Sequence, residues 1–245
     1  MAEDLRDAND PRWGQAGREA KADAIVHTLR ACCGGRLPRG TWLDVGCGSG
    51  GIAASLATHA DKAVGVDPES WARWSAYREV HANLEFQVGG YRNLEEFLGP
   101  ESCDVVVCNQ VYEHVDDPQA LLRAIHAVMK PNGTCYFAGP NLLWPIEPHV
   151  FWPFVHWLPR RFAQNAMRSL GSRRANDLDA FSTHYWRLRR WFRESGFAAQ
   201  VTIGARLDGA LVARGAGLRL PRPLGRLIDA MAPSSPGFVF CVRKV

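Results

Sequence analysis

The sequence predicts an α/β protein built on a doubly wound parallel sheet, and three observations carry that reading. Short apolar runs alternate with longer amphipathic stretches across residues 18–140, the spacing of repeated strand–helix units. A glycine-rich turn, LDVGCGSGG (43–51), joins the first such run to the amphipathic stretch that follows it. The run CDVVVCN (103–109) is apolar at successive positions, as in a central strand covered on both faces.

In chain order, strands are predicted at 41–46, 62–67, 84–89, 103–109 and 134–139, with helices at 18–31, 50–59, 69–80, 91–98 and 117–130. The last helix has a legible start and stop. Asp117 can cap it, Pro118 suits its first turn, and KPNG ends it after Lys130. The alternation then breaks. Residues 141–179 are rich in Trp, Phe, Pro and Arg and show no strand pattern. Regular signals return as a helix at 184–195, a strand at 196–204 and a final strand at 237–245. The Gly-, Arg- and Pro-rich stretch 205–236 reads as loops with one short helix near 222–232. The expected organisation is one domain, 1–245: a core at 35–140, an insertion at 141–182 after the fifth strand, and a C-terminal part at 183–245.

Composition narrows the classes. No run of about 18 uncharged apolar residues occurs, so a membrane-spanning helix is not expected. The acidic, polar start MAEDLRDANDPRW fits neither a signal nor a transit peptide, and a cytoplasmic location is expected. The seven cysteines include no CxxC pair; they read as reduced thiols, and Cys32–Cys33 as a helix end rather than a metal site. Charge is polarised. Residues 1–140 carry 13 basic and 19 acidic side chains, whereas 141–245 carry 16 and 6, so the second part is built to face something anionic.

Gly46, Gly48 and Gly51 satisfy the GxGxxG pattern of a dinucleotide site, so a nicotinamide-dependent oxidoreductase is one reading of the loop. Asp44 favours another. A carboxylate beside the loop would oppose a pyrophosphate, but it suits S-adenosylmethionine, which brings an ammonium and a sulfonium with its single carboxylate. Asp67, at the end of the second strand, can accept the ribose hydroxyls of either cofactor, or cap a helix before Pro68.

LDVGCGSGG, VGVDPE and CDVVVCNQVYEHVDDPQALLRAIHAVMKPNGTCYF together resemble the class I S-adenosylmethionine-dependent methyltransferases, within them the branch with a Glu-His-Val signature after strand four. The likeness is close over about 35–140. It implies a Rossmann-like seven-stranded sheet, ordered 3-2-1-4-5-7-6 with strand seven antiparallel. It implies that Gly46, Cys47 and Gly48, with Gly50 beside them, line the methionine part of the cofactor, and that Asp67, next to Pro68, binds the ribose. Relatives often carry an acid beside the adenine; Gly90 and Tyr91 stand there in this chain, so adenine recognition falls to Tyr91 and backbone groups. Asn109 and Gln110 should lie near the methionine end and the acceptor opening.

For a hydroxyl acceptor a histidine is the default general base. His114 in YEHV opens onto the cofactor, with His149 and His184 as rivals; each also has a plain structural reading, as a turn, loop or helix-start residue. Glu113 and His114 alone are too few ligands to define a metal site. Five of the nine tryptophans (Trp144, Trp152, Trp157, Trp186, Trp191) fall between 141 and 191, with Arg160, Arg161, Arg168, Arg173 and Arg174 among them. This is either a lid packed on the core or a surface for a lipid interface or anionic acceptor. The stretch EPHVFWPFVHWLPRR also looks like an insertion in methyltransferase-like proteins of glycan and cell-surface assembly. The expected acceptor is a small molecule, a sugar or a lipid-linked glycan, with peripheral contact to the inner membrane surface through 151–174. Nucleic acid ranks lower, because no RNA-binding module accompanies the basic half. A non-catalytic partner subunit of the same fold is the third reading.

Overall fold

A computed structural model describes residues 15–147, 150–178 and 182–245. Seven strands form one sheet: β1 (Thr41–Val45), β2 (Lys62–Asp67), β3 (Leu84–Val88), β4 (Cys103–Asn109), β5 (Met129–Pro140), β6 (Phe197–Val201) and β7 (Gly237–Lys244). Their order is β3-β2-β1-β4-β5-β7-β6, as the resemblance implies, and β7 runs antiparallel to both neighbours. The helices are α1 (Gln15–Cys32), α2 (Gly51–Ala57), α3 (Arg73–Val80), α4 (Leu94–Leu98), α5 (Pro118–Val128), α6 (Arg160–Ser169), α7 (Tyr185–Glu194), α8 (Ile203–Ala213) and α9 (Arg222–Ala230).

The two faces of the central strands divide the core. Leu43, Val45, Val106 and Cys108 meet α5 and the aromatic set Phe192, Phe197, Phe238 and Phe240 on one side. Trp42, Val105, Val107 and Tyr136 meet α1 and α2 on the other. β4 feeds both clusters, so its unbroken apolar run is what two-sided burial requires. Asp117 caps α5 through a bond from the Ala120 amide (2.9 Å), with Pro118 behind it. All seven cysteines are free thiols, and Cys32 closes α1.

Three expectations need correction. KPNG does not follow a helix into a loop: α5 stops at Val128, and Met129 enters β5 directly, its pairing with β4 interrupted between Cys103 and Val105. The strand expected at 196–204 ends at Val201. Most of the supposed loop beyond it is helix. α8 packs along α1, and its glycines are contact residues rather than breakers: a Cβ at Gly204 would stand 2.6 Å from the Gly225 carbonyl, and one at Gly209 3.0 Å from the Ala24 carbonyl. Glycine there lets helix backbones touch.

The segment after β5 has a small core of its own, Val150, Val155, Ala163, Met167, Ala175 and Leu178, with Trp152 against it. Its two roots meet. Asn141 bridges Thr183, and the Leu142 amide donates to the Thr183 carbonyl (3.0 Å). The Asn141 side chain donates to the Pro233 and Ser235 carbonyls (3.0 and 2.8 Å), tying this root to the loop that leads into β7.

The contact between Gly204 and Gly225 is asymmetric, which gives a paired test. Gly204→Ala should lower stability by about 1–3 kcal/mol in urea unfolding, as overpacking does. Gly225→Ala, whose added carbon meets nothing closer than 3.7 Å, should stay near wild type.

Candidate active site

β1 delivers the chain to a loop in which Gly46, Gly48 and Gly50 all hold positive φ (68°, 53° and 87°). The amides of Gly46 and Cys47 donate to the Val66 carbonyl (2.8 and 3.1 Å), anchoring the loop to the tip of β2. Asp67 sits at that tip. One of its oxygens accepts the Gly48 amide (2.8 Å), and the other accepts the Glu69 amide (3.1 Å) and the Trp71 indole (3.2 Å). It is not a helix cap, since α3 starts only at Arg73, beyond the exposed Pro68. An aromatic floor supports the loop: the Trp74 indole donates to the Gly48 carbonyl (2.9 Å), and its ring stacks on Phe86 at 4.7 Å. Side chains are barred at two of the glycines. A Cβ at Gly50 would lie 2.6 Å from Phe86, and one at Gly46 2.7 Å from Val111. At Gly48 nothing stands within 4 Å, so the loop is open on that side.

Asp44 is buried, 4 % exposed, directly before this loop, and its Oδ2 has no hydrogen-bond partner. Burial, reinforced by the nearby Asp67, raises its carboxyl to about 7, while Arg18 and the Ala53 backbone pull the other way. Arg18 reaches in from α1, its side chain lying where a Cβ on Gly51 would be 2.5 Å away. The Ser49 hydroxyl is also buried without a partner. Cys47 is buried, and burial followed by Asp44 and Asp67 keeps its thiol protonated, so it serves as a small apolar wall.

The tip of β4 completes the site. Half-buried Asn109 ends the strand, and Gln110 takes a left-handed backbone (φ 60°) while its amide donates to the Ala138 carbonyl (2.8 Å). A non-glycine residue held there is strained, which is common at functional positions. Val111 then covers Gly46, and His114 closes the turn, its amide donating to the Val111 carbonyl (2.9 Å) with its ring exposed. Tyr112 and Glu113 point inward and are buried. The Tyr112 hydroxyl donates to the Pro140 carbonyl and accepts the Thr183 amide (3.3 Å), so this turn grips both roots of the inserted segment. On the far side, buried Tyr91 donates to Asp116 (2.7 Å) and Arg92 pairs with the same carboxylate (2.9 Å), which holds it down at about 2. Gly90 lies beside them, its amide donating to Asn93.

A methyltransferase domain model matches residues 15–200, about three quarters of the chain. The chain belongs to the methyltransferase domain family. That membership and the sheet order decide between the two readings of the glycine loop, in favour of a class I S-adenosylmethionine-dependent methyltransferase rather than an oxidoreductase. Among relatives of this chain, a ubiquinone biosynthesis O-methyltransferase of Acinetobacter baylyi is 36 % identical over 104 residues, 40 % of this chain and 43 % of its own. A second, from Neisseria meningitidis, is 37 % identical over 145 residues, 54 % of this chain and 58 % of its own. The chain thus spans about half the length of the curated relatives it matches. In fold it is similar to the 1,6-didemethyltoxoflavin-N1-methyltransferase of Burkholderia thailandensis, solved with 1,6-didemethyltoxoflavin and S-adenosylhomocysteine (TM-score 0.56, 17 % identity, covering 100 % of this chain and 86 % of that one).

The residues present fit S-adenosylmethionine. The unpartnered oxygen of Asp44 and the open side at Gly48 offer a place for a cationic, amino-acid-bearing ligand, and Arg18 is a cation near the same loop. Of the three candidate histidines, His114 is exposed on the turn after β4, three residues beyond Val111, which covers Gly46. His184 starts α7, its Nδ1 accepting the Arg187 amide (3.2 Å). His149 lies outside the described residues. Sequence reasoning missed Arg18, Ser49, Trp71, Trp74 and Phe86. The spacing of Trp71 and Trp74 directly after VDPES was the available signal for two of them. Arg18 and Phe86 come from other elements and had none.

Asp44 gives a pH test. Its folded value lies above the unfolded one, so its contribution to stability is full below about pH 4 and is lost as pH rises through about 7. Asp44→Asn should therefore be more stable than wild type at pH 8, by about 1 kcal/mol or more, and no more stable at pH 4, in urea unfolding of ligand-free protein.

Proposed function

We propose that this chain transfers a methyl group from S-adenosylmethionine to a hydroxyl on a small-molecule, sugar or lipid-linked acceptor. The observation that carries the cofactor half of this reading is the buried, unpartnered Asp44 oxygen beneath a loop of three left-handed glycines. S-adenosylmethionine, when bound, supplies an activated methyl on a sulfonium. The chain supplies placement, which accounts for much of the rate in such a reaction. Asp44 and Arg18 would hold the amino-acid end, Gly46, Cys47, Gly48 and Gly50 would line it, and Asp67 would take the ribose hydroxyls. Tyr91, with Gly90 and Pro68 at the rim, would border the adenine. Asn109 and Gln110 would face the acceptor, and a ring nitrogen of His114 would take the hydroxyl proton.

Oxygen as the methylated atom is supported by the names of the relatives, both O-methyltransferases. The acceptor class rests on the inserted segment, which we read as a lid. Phe151, Phe154 and Trp157 are about half exposed on it and Phe162 is 71 % exposed, near Arg160 and Arg161. Such a face suits an amphipathic or anionic acceptor, and a lipid surface met through 151–174. No helix among the described residues is long and apolar enough to cross a membrane.

Calorimetry should show S-adenosylmethionine binding that Asp67→Ala and Gly46→Arg abolish and Arg18→Ala weakens about tenfold, the loss of one charge-assisted bond. No heat with wild type would sink the cofactor assignment. Incubating cell extracts with deuterated-methyl cofactor should label an acceptor visible by mass spectrometry; binding without label would make the chain a cofactor-binding partner subunit instead. With that acceptor in hand, His114→Ala should cut turnover about a hundredfold or more at saturating substrate, with cofactor affinity unchanged. Undiminished turnover would move the base to His149 or His184.

A further inference from the structure

Helix α9 is packed the wrong way round for a helix of a self-contained fold. Leu224, Leu227 and Met231 recur at i, i+3 and i+7, one apolar stripe, yet they are 45, 58 and 59 % exposed. No residue of α9 is buried. Its attachment runs along the other side, where Gly225 lies against Gly204 and Asp229 accepts the Gly204 amide (2.8 Å). The apolar stripe thus faces out, and backbone and carboxylate face in.

The surrounding charge favours one occupant. Arg222 and Arg226 stand on the polar flank of α9 and Arg214 on the preceding turn, all exposed and with no carboxylate partner among the described residues. The acids of this region are already committed: Asp208 to His27 and Arg219, Asp229 to Gly204. A second copy seated on the stripe would bring a second set of these arginines to the interface and no uncommitted carboxylate to meet them, an unfavourable concentration of like charge. Anionic lipid headgroups would pair with them while the leucines entered the acyl boundary.

The position of α9 connects this face to the active site. Met231 leads within two residues to Pro233, whose carbonyl holds the Asn141 side chain at the root of the lid. Pro140 and Gly237 pair at the same carboxyl edge of the sheet that carries the glycine loop. We propose that α9 is an interfacial foot that seats this edge of the protein on an anionic bilayer, a second contact beside the lid that turns the acceptor opening towards the lipid phase. The foot extends the lipid-surface reading of the lid and can fail separately from it.

Full-length protein should co-sediment with phosphatidylcholine vesicles containing phosphatidylglycerol, and far less with phosphatidylcholine alone or at high salt. Leu224→Asp/Leu227→Asp should lower the apparent vesicle affinity about tenfold or more, and Arg222→Glu/Arg226→Glu should do so only on anionic vesicles. Thermal melting should not change, because these side chains are exposed, so lost binding cannot be mistaken for unfolding. Phe162→Asp tests the lid by itself. Wild-type affinity in both α9 variants overturns the foot, even where Phe162→Asp abolishes binding and upholds the lid. A wild type indifferent to anionic lipid overturns both, and a concentration-dependent dimer broken by Leu224→Asp/Leu227→Asp would assign the stripe to a second copy.

Discussion

A carboxylate held out of water at the end of β1 is the constraint around which the first half of this protein is arranged. Asp44 is shut off from water, and it shares its surroundings with Asp67, a second carboxylate whose proximity calls for fixed dipoles nearby. The fold supplies those dipoles. The Gly48 amide is spent on Asp67, the Ala53 backbone and Arg18 act on Asp44, and the left-handed glycines allow the loop to turn these groups inward. One oxygen of Asp44 is left without a hydrogen-bond partner.

The rest of the site follows from keeping that loop rigid. Trp74 and Phe86 support it from below, Val111 closes over Gly46, and Tyr112 carries the constraint onward to the inserted segment. The turn NQVYEH thereby has two sides: Gln110 and His114 are exposed, and buried Tyr112 joins the core to both roots of the inserted segment. Strain at Gln110 is concentrated where these sides meet.

Much of this architecture was legible in the sequence because it rests on local signals. The five first strands, the cap at Asp117, the glycine loop and its neighbouring acids depend on residues close together in the chain. What was not legible depends on distant partners. Nothing in IGARLDGALVA announces that Gly204 and Gly209 serve helix contacts, since glycine reads locally as a breaker until Gly225 and Ala24 are placed against it. Likewise Arg18, from α1, joins a loop some thirty residues away in sequence, and the aromatic content of the inserted segment could not say which rings would pack, as Trp152 does, and which would face out, as Trp157 does.

The inserted segment leaves and re-enters the body at neighbouring points, Asn141 against Thr183, beside a sheet that is complete without it. A loop whose ends already touch can be lengthened or exchanged at little entropic cost to its anchorage. The segment is therefore modular: evolution, or a protein engineer, can replace what lies between those two residues as a cassette and leave the seven-stranded sheet and its glycine loop in place.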